Sequence, residues 1–271
     1  MSPVANRGRS GGAAQKEFTS LSEFVSQVER IVVEWTPPDA EWYLQPWFRG
    51  HADASWKLRP SLIRMERVRG LGAEHYSEAT LLEMFQQRAT RYLDHEPRDE
   101  WEWLCEMQHH GLPTRLLDWT ESALVALYFA VRDQIDGKDI AVWVTNPWWI
   151  NKCHFGDYVL PSTSAAEVQP WGPTVAYAER PDGPIAVLPV YRSARIQAQR
   201  GKFTIHGRDA DGLDALALRT GRDVNLRKLV LRGHRAAAVQ LELARAGITE
   251  SVVFPELQGL CRELKSFFFG V

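Results

Sequence analysis

Apolar residues recur at helical spacing through the first half of the chain and in short β-prone runs through the second half. The segment SLSEFVSQVERIVVEW begins with a capping box, Ser20 with Glu23, and continues with apolar residues three or four positions apart. It therefore predicts a helix over residues 20–35. A second amphipathic pattern predicts a long helix over residues 73–95, with Tyr92 on its buried side.

The middle of the chain predicts one strand and two further helices. Residues 42–52 are aromatic and β-prone, and Pro46 favours an edge or bulged strand there. A shorter helix is expected to end at Gly111, a natural C-cap. After the extended turn that Pro113 imposes, residues 121–131 are almost all apolar, which predicts a helix buried on every side.

The second half predicts most of the sheet. Strands are expected at residues 140–146, 185–191 and 202–206, separated by Gly/Pro loops. Helices concentrated early and strands late indicate an α+β fold, with a mixed or antiparallel sheet packed against helices mostly from the first half. We interpret residues 1–17 as a flexible leader and residues 18–271 as a single domain, with a loop excursion at about 151–183.

Composition indicates the cellular compartment in which the protein acts. The chain has 271 residues and three widely spaced cysteines, with no CxxC pair, which favours reduced thiols without a disulfide framework. The N-terminus has no apolar signal region, and no apolar run approaches the roughly 18 residues that a membrane span needs. The sequence therefore predicts a cytoplasmic protein that does not act in a membrane.

Charge is distributed unevenly. Residues 192–235 hold eleven Lys or Arg against four Asp, although the whole chain has a formal net charge of −2. Such a basic segment indicates a phosphate-bearing ligand, or nucleic acid bound by charge together with stacking on the interleaved Tyr191 and Phe203. The alternative is that these cations pair with acidic neighbours on a solvated face.

Two short stretches carry candidate chemistry. Arg49 follows an aromatic run and precedes Gly50, an arrangement that offers a fixed guanidinium beside backbone that a ligand can approach closely. The alternative role for Arg49 is a structural ion pair with Asp118. Asp118 or Thr120 could cap the apolar helix that follows, and Arg115 could brace Asp118 or bind an anion near that helix terminus. Polar candidates crowd the same turn: His109, His110, Thr114, Arg115 and Asp118.

These stretches resemble the FRG domain family, which is named for a Phe-Arg-Gly tripeptide, here Phe48, Arg49 and Gly50. The similarity continues through RPSL at residues 59–62 and QHHGLPTRLLDWT at residues 108–120. It implies an association with prokaryotic defence or mobile elements, but it implies no specific reaction.

A second resemblance is to ADP-ribosyltransferases that use an Arg, a Ser/Thr motif and a Glu in that order. It implies NAD as a substrate, with Arg49 binding its phosphate or ribose and Thr120 or Ser122 supporting the site. It also implies that Tyr128 or its neighbour Phe129 walls the nicotinamide pocket. Glu256 would stabilise the cationic transition state, and Gln199 competes for that position but cannot supply a negative charge.

Two hypotheses therefore remain open. One is a transferase that uses NAD and a protein or nucleic-acid acceptor, and the other is a non-enzymatic nucleotide-binding or nucleic-acid-binding module. No metal is expected, because the adjacent His109 and His110 would point about 100° apart on a helix. In either case the turn is expected to form one site with Arg49, so Arg49 should lie close to Asp118, Thr120 or His110.

Overall fold

The structure is a computed structural model that describes residues 14–39, 44–69, 78–93, 95–190, 194–219 and 225–270. It confirms the α+β class, with a seven-stranded mixed sheet packed against helices. The strands are β1 (Ala14–Phe18), β2 (Trp47–His51), β3 (Leu116–Thr120), β4 (Ile140–Thr145), β5 (Ile185–Val187), β6 (Gly201–Ile205) and β7 (Leu226–Leu231).

The strands lie in the order β1-β7-β4-β2-β3-β6-β5. β1 pairs parallel with β7, and every other neighbouring pair of strands is antiparallel. β2 therefore lies inside the sheet, between β4 and β3, and the prediction of an edge strand is wrong. Pro46 is compatible with this position because it precedes the strand and removes no hydrogen bond from its ladder.

Helices cover both faces of the sheet. They are α1 (Leu21–Trp35), α2 (Ser61–Arg69), α3 (Glu78–Ala89), α4 (Glu100–His109), α5 (Ala123–Arg132), α6 (Pro147–Phe155), α7 (Ala194–Ala198), α8 (Leu213–Arg219), α9 (Ala236–Arg245), α10 (Glu250–Val253) and α11 (Leu257–Phe269). On one face, α1, α5 and α9 bury an apolar core against β4 and β7. On the same face α3 and α4 cover β6, whereas on the opposite face α6 packs beneath a layer of tryptophans.

The two best-patterned helices form as expected. Ser20 caps α1 by accepting a hydrogen bond from the Glu23 amide. α5 is the predicted apolar helix, and its middle is buried. Its N-cap is Ser122, however, so the expectation that Asp118 or Thr120 caps this helix is wrong. Both residues belong to β3, a strand that the sequence analysis missed.

Several other expectations need correction. Residues 14–17, which we assigned to the leader, form most of β1, and β7 was not predicted at all. The amphipathic helix ends at Ala89 and continues as a short 3-10 turn, which leaves Tyr92 71% exposed instead of buried. The predicted start of that helix, at residues 73–77, and the leader residues 1–13 lie outside the described residues.

Candidate functional site

The candidate site lies where the sheet splits between β2 and β3. β2 pairs with β4 along its whole length, but it pairs with β3 only at Phe48 and Thr120. Beyond that pair the two strands separate, and the side chain of Arg49 occupies the gap. Its Nη1 donates a 2.7 Å hydrogen bond to the backbone carbonyl of Asp118 and lies 3.5 Å from that residue's Oδ2. The expected proximity of Arg49 and Asp118 is confirmed.

A cavity of about 340 Å³ opens at this split. Its walls come from β2, β3, β6, α4, α5 and α7. Six of the predicted site residues line it: Phe48, Arg49, Gly50, His109, Asp118 and Thr120. The end of α4 and the strand β3 therefore contribute to a pocket, together with the Phe-Arg-Gly strand β2.

Gly50 has a different role from the one expected. A Cβ at this position would lie 2.0 Å from the carbonyl oxygen of Ala126 and 2.8 Å from the amide nitrogen of Ala130. Glycine is thus required so that α5 can pack directly against β2. The close approach is made by a helix of the protein itself, and this contact fixes the rear wall of the cavity.

The carboxylate of Asp118 is held by a short polar chain. Gln108 donates from Nε2 to Asp118 Oδ2 at 2.7 Å, and the hydroxyl of Thr114 donates to Gln108 Oε1 at 2.6 Å. Arg49 approaches the same carboxylate oxygen. Among the described residues, Oδ1 of Asp118 has no hydrogen-bond partner. Its side chain is 53% exposed, so a carboxylate oxygen is oriented and accessible at the cavity.

Two histidines stand beside the cations of the cavity. His51 is buried, and its Nε2 accepts a 3.1 Å hydrogen bond from Nε of Arg49. Burial lowers the pKa of His51 well below its ordinary value, and the charge of Arg49 lowers it further. Burial, aided by the nearby charge of Arg195, lowers the pKa of His109 to about 4. Both imidazoles are therefore neutral at neutral pH.

Arg195 adds a second guanidinium to the cavity. It belongs to α7 and stacks on the ring of Phe254, with its Cζ 4.7 Å from the ring centroid. Burial lowers the pKa of Arg195, while the carboxylates of Glu256 and Asp118 raise it. Arg195 is thus close enough to Asp118 to interact with it electrostatically. Arg49 of β2 also interacts with Asp118.

Thr120 connects three elements. Its hydroxyl donates a 2.6 Å hydrogen bond to the carbonyl of Gln199 and accepts one of 2.9 Å from the amide of Ser122. It thereby joins the end of β3 to the start of α5 and to the turn before β6. Gln199 also lines the cavity, so Arg49, Thr120 and Gln199 converge there.

Arg115 lies outside this cavity and is a structural residue. It is 3% exposed, its Nε donates to Glu78 at 2.7 Å, and its remaining nitrogens donate to backbone carbonyls. The amide of Arg115 also donates to Glu78 at 2.7 Å. Because each guanidinium nitrogen of this buried side chain donates within the protein, Arg115 neither braces Asp118 nor is exposed to bind an anion. The expected roles of Arg115 are therefore wrong.

Three further predicted site residues do not line the cavity. Tyr128 is buried, and its hydroxyl donates to Glu250, whereas the adjacent Phe129 does form part of the wall. His110 caps the end of α4 and lies 3.7 Å from Glu106. Glu256 is the exposed N-cap residue of α11 and approaches the site only through its electrostatic effect on Arg195.

The basic segment is largely neutralised by acidic neighbours, as the alternative interpretation expected. Ion pairs to carboxylates are formed by Lys202, Arg208, Arg219, Arg227 and Arg232. These residues belong to β6, α8, β7 and the connections that follow β6 and β7. Tyr191, Arg192 and Arg222 lie outside the described residues.

Other chemistries find less support in the described part of the chain. It holds no group of three or more His, Cys, Asp or Glu residues that could bind a metal ion. Cys105 lines the cavity, but burial raises the pKa of its thiol, so it is not a thiolate nucleophile. No helix within the described ranges has the length and apolar character needed to span a membrane.

Sequence reasoning did not select Gln108, His51 or Arg195 as site residues. His51 could have been found, because it lies two positions after Arg49 on a strand and therefore points to the same face. Gln108 is part of the QHHGLPTR run but carries no charge. Arg195 was one cation in a long basic segment, and its importance depends on Phe254, which lies far away in sequence.

Residues 44–139 match the family model of the FRG domain. This match confirms the resemblance for that part of the chain, which contains Arg49, Gln108, Asp118 and Thr120. Arg195 lies beyond the matched range, so the site combines the matched region with a later segment. No curated protein and no solved structure matches the chain.

Proposed function

Because residues 44–139 carry an FRG domain, we propose that this domain binds a phosphate-bearing nucleotide of the NAD class at the split in the sheet. The supporting observation is the placement of Arg49, whose guanidinium is held inside a cavity by the Asp118 carbonyl. Nη2 of Arg49 has no hydrogen-bond partner among the described residues. A fixed guanidinium with a free donor edge suits a phosphate, which accepts paired hydrogen bonds.

The rest of the wall suits the other parts of a nucleotide. The cavity volume of about 340 Å³ lies within the range typical of small-molecule sites. Trp56, Phe129 and Phe203 contribute aromatic surface on which a base or nicotinamide ring could stack. Gln199 lines the cavity, and since its Nε2 donates to the carbonyl of Val253, its Oε1 can accept a hydrogen bond from a ribose hydroxyl.

Transfer of ADP-ribose is the reaction that this site could support, and Asp118 is the observation that favours it. In such a transfer the bond between ribose C1′ and the nicotinamide nitrogen breaks, and its electron pair leaves with nicotinamide. The acceptor nucleophile forms the new bond to C1′ and gives its proton to solvent. An oriented carboxylate stabilises the positive charge that develops on the ribose. We assign this role to Asp118, because Glu256 is exposed outside the cavity.

The nucleic-acid alternative has weaker support. A single-stranded nucleic acid requires a continuous basic groove with aromatic platforms. In the described residues of the basic segment, most cations are already paired with carboxylates. A small anionic ligand inside the cavity needs only Arg49 and Arg195. A protein or nucleic-acid acceptor for the ADP-ribosyl group, and a role in prokaryotic defence, remain predictions.

Isothermal titration with NAD and ADP-ribose tests the proposed binding. Wild type should bind both ligands, and Arg49→Ala should weaken binding by about ten-fold to a hundred-fold, because a charge-assisted hydrogen bond contributes about 1.5–3 kcal/mol. Arg232→Ala is the matched control, since Arg232 is exposed and pairs with Glu17 and Asp139 beside β1. Absence of nucleotide binding by a folded wild-type protein would overturn the proposal.

Nicotinamide release from NAD tests the reaction separately. A transferase should release nicotinamide, faster when cell lysate supplies acceptors. Binding without release, with and without lysate, would leave a nucleotide-binding module in its place.

A further inference from the structure

Three arginines surround one phenylalanine at the rim of the cavity. The guanidinium carbons of Arg132, Arg195 and Arg262 lie 4.5, 4.7 and 5.2 Å from the centroid of the Phe254 ring. Cations stack favourably on aromatic faces, so each contact is individually reasonable. Three positive charges around a single ring nevertheless repel one another. Each guanidinium is therefore expected to have a negatively charged partner.

Two of these arginines have a carboxylate partner. Glu250 accepts from Nε of Arg262 at 2.6 Å, and it lies 3.3 Å from Nε of Arg132. Arg195 differs, because among the described residues its guanidinium forms neither a hydrogen bond nor an ion pair. Its side chain is only partly exposed, and it is the member of the three that lines the cavity. The carboxylates of Glu256 and Asp118 act on Arg195 only from a greater distance, so its half-buried guanidinium is in place to bind an anion at closer range.

The charge of Arg195 acts on residues that line the cavity. It acts electrostatically on His109 and on Asp118, both of which line the cavity. Arg49 reaches the same Asp118 from β2. The two guanidiniums therefore face one cavity from different elements, one fixed in the sheet split and one held flat against Phe254.

We propose that Arg49 and Arg195 together bind the two phosphates of a diphosphate, so that the site selects nucleoside diphosphates and dinucleotides over nucleoside monophosphates. This inference rests on the proposed nucleotide binding and narrows it to a substrate class. Arg195 is then a specificity-determining residue, because a monophosphate on Arg49 leaves it without a partner. Planar guanidinium forks suit paired phosphate oxygens better than an ammonium group does.

Titration with AMP and ADP-ribose at one ionic strength tests this inference. The two ligands carry similar total charge at neutral pH, so a difference in affinity does not come from charge alone, and the Arg195 variants separate the diphosphate from the second ribose of ADP-ribose. Wild type should bind ADP-ribose about ten-fold or more tightly than AMP, as expected for one additional charge-assisted contact. Arg195→Gln should remove this preference while leaving the affinity for AMP unchanged, and Arg195→Lys should restore part of it.

Arg132→Gln is the matched control, since Arg132 stacks on the same ring but does not line the cavity. It should keep the wild-type preference for ADP-ribose. Equal preference in wild type and in a folded Arg195→Gln variant, as judged by its melting temperature, would overturn the role of Arg195 while leaving nucleotide binding intact. Failure of the wild type to bind either ligand would overturn both.

Discussion

Arg49 donates a 2.7 Å hydrogen bond to the backbone carbonyl of Asp118 across the gap between β2 and β3. In a continuous antiparallel pair a strand amide would satisfy such a carbonyl. Here a side chain does so, and the strands are held apart around it. The sheet is thus opened and braced by the same guanidinium, which explains how a cavity can form in the interior of a sheet without an unsatisfied carbonyl at this position.

The backbone carbonyl and the carboxylate of Asp118 therefore have different roles, which a substitution can test separately. Asp118→Asn keeps the carbonyl that Arg49 binds but removes the negative charge. We expect nicotinamide release to fall roughly a hundred-fold, as for loss of one preorganised electrostatic group, with ADP-ribose still bound. Glu256→Gln should leave the rate close to wild type, because Glu256 is exposed outside the cavity. A rate that depends on Glu256 and not on Asp118 would contradict the assignment.

Stability should depend on Arg115 and not on Asp118. Glu78→Gln leaves the guanidinium of Arg115 buried without its counterion, which is expected to destabilise the fold by about 3–5 kcal/mol. Asp118→Ala removes a half-exposed carboxylate that lies 3.5 Å from Arg49, but it keeps the backbone carbonyl that Arg49 binds, so it should cost less than about 1 kcal/mol. Urea denaturation of both variants measures the difference. Equal losses would mean that Asp118 is also a structural residue.

The elements with strong periodicity could be predicted from the sequence, and those that depend on distant pairing could not. The capping residue Ser20 and the apolar α5 are local features, so α1 and α5 were expected. β3 has only five residues, Leu116–Thr120, its sequence LLDWT does not alternate between apolar and polar residues, and α5 begins three positions later, so no local pattern predicts this strand. β1 was missed because it pairs with β7, at the far end of the chain.

Some residues of the candidate site could likewise be predicted from the sequence, and others could not. The proximity of Arg49 and Asp118 was predicted from two motifs that lie far apart in the sequence, and the structure confirms it. The prediction for Glu256 depended on a sequence order of Arg, Ser/Thr and Glu, but sequence order cannot show whether a side chain reaches a cavity. The same limit applies to Arg195, whose distinguishing feature is the absence of a partner among the described residues.

Gly50 offers a test of the rear wall. Gly50→Ala would bring a methyl group into the backbone of α5 at Ala126, so the helix must move away from β2. We expect a loss of about 1–3 kcal/mol or more, together with weaker nucleotide binding, because the wall of the cavity shifts. Gly183→Ala is the control, since its Cβ would make only an ordinary contact of 3.8 Å with His154. Similar melting temperatures for the two variants would contradict this packing argument.

A buried histidine should make stability fall in acid. His206 is fully buried, and neither ring nitrogen has a hydrogen-bond partner among the described residues. Burial lowers the pKa of His206 to about 3, below the ordinary value of 6.5 that the unfolded chain should show. Between these two values the unfolded state binds a proton that the folded state does not, so stability is present at neutral pH and is lost as pH falls.

The contribution of His206 can be isolated with His206→Gln, which has similar volume and polarity but does not titrate. One proton per unfolding event corresponds to a slope of about 1.4 kcal/mol per pH unit. Urea denaturation between about pH 6 and pH 4 should therefore show a steeper fall for wild type than for the variant by roughly this amount. Parallel curves would show that His206 is protonated in the folded protein or is reached by solvent, since in either case folding would no longer exclude the proton.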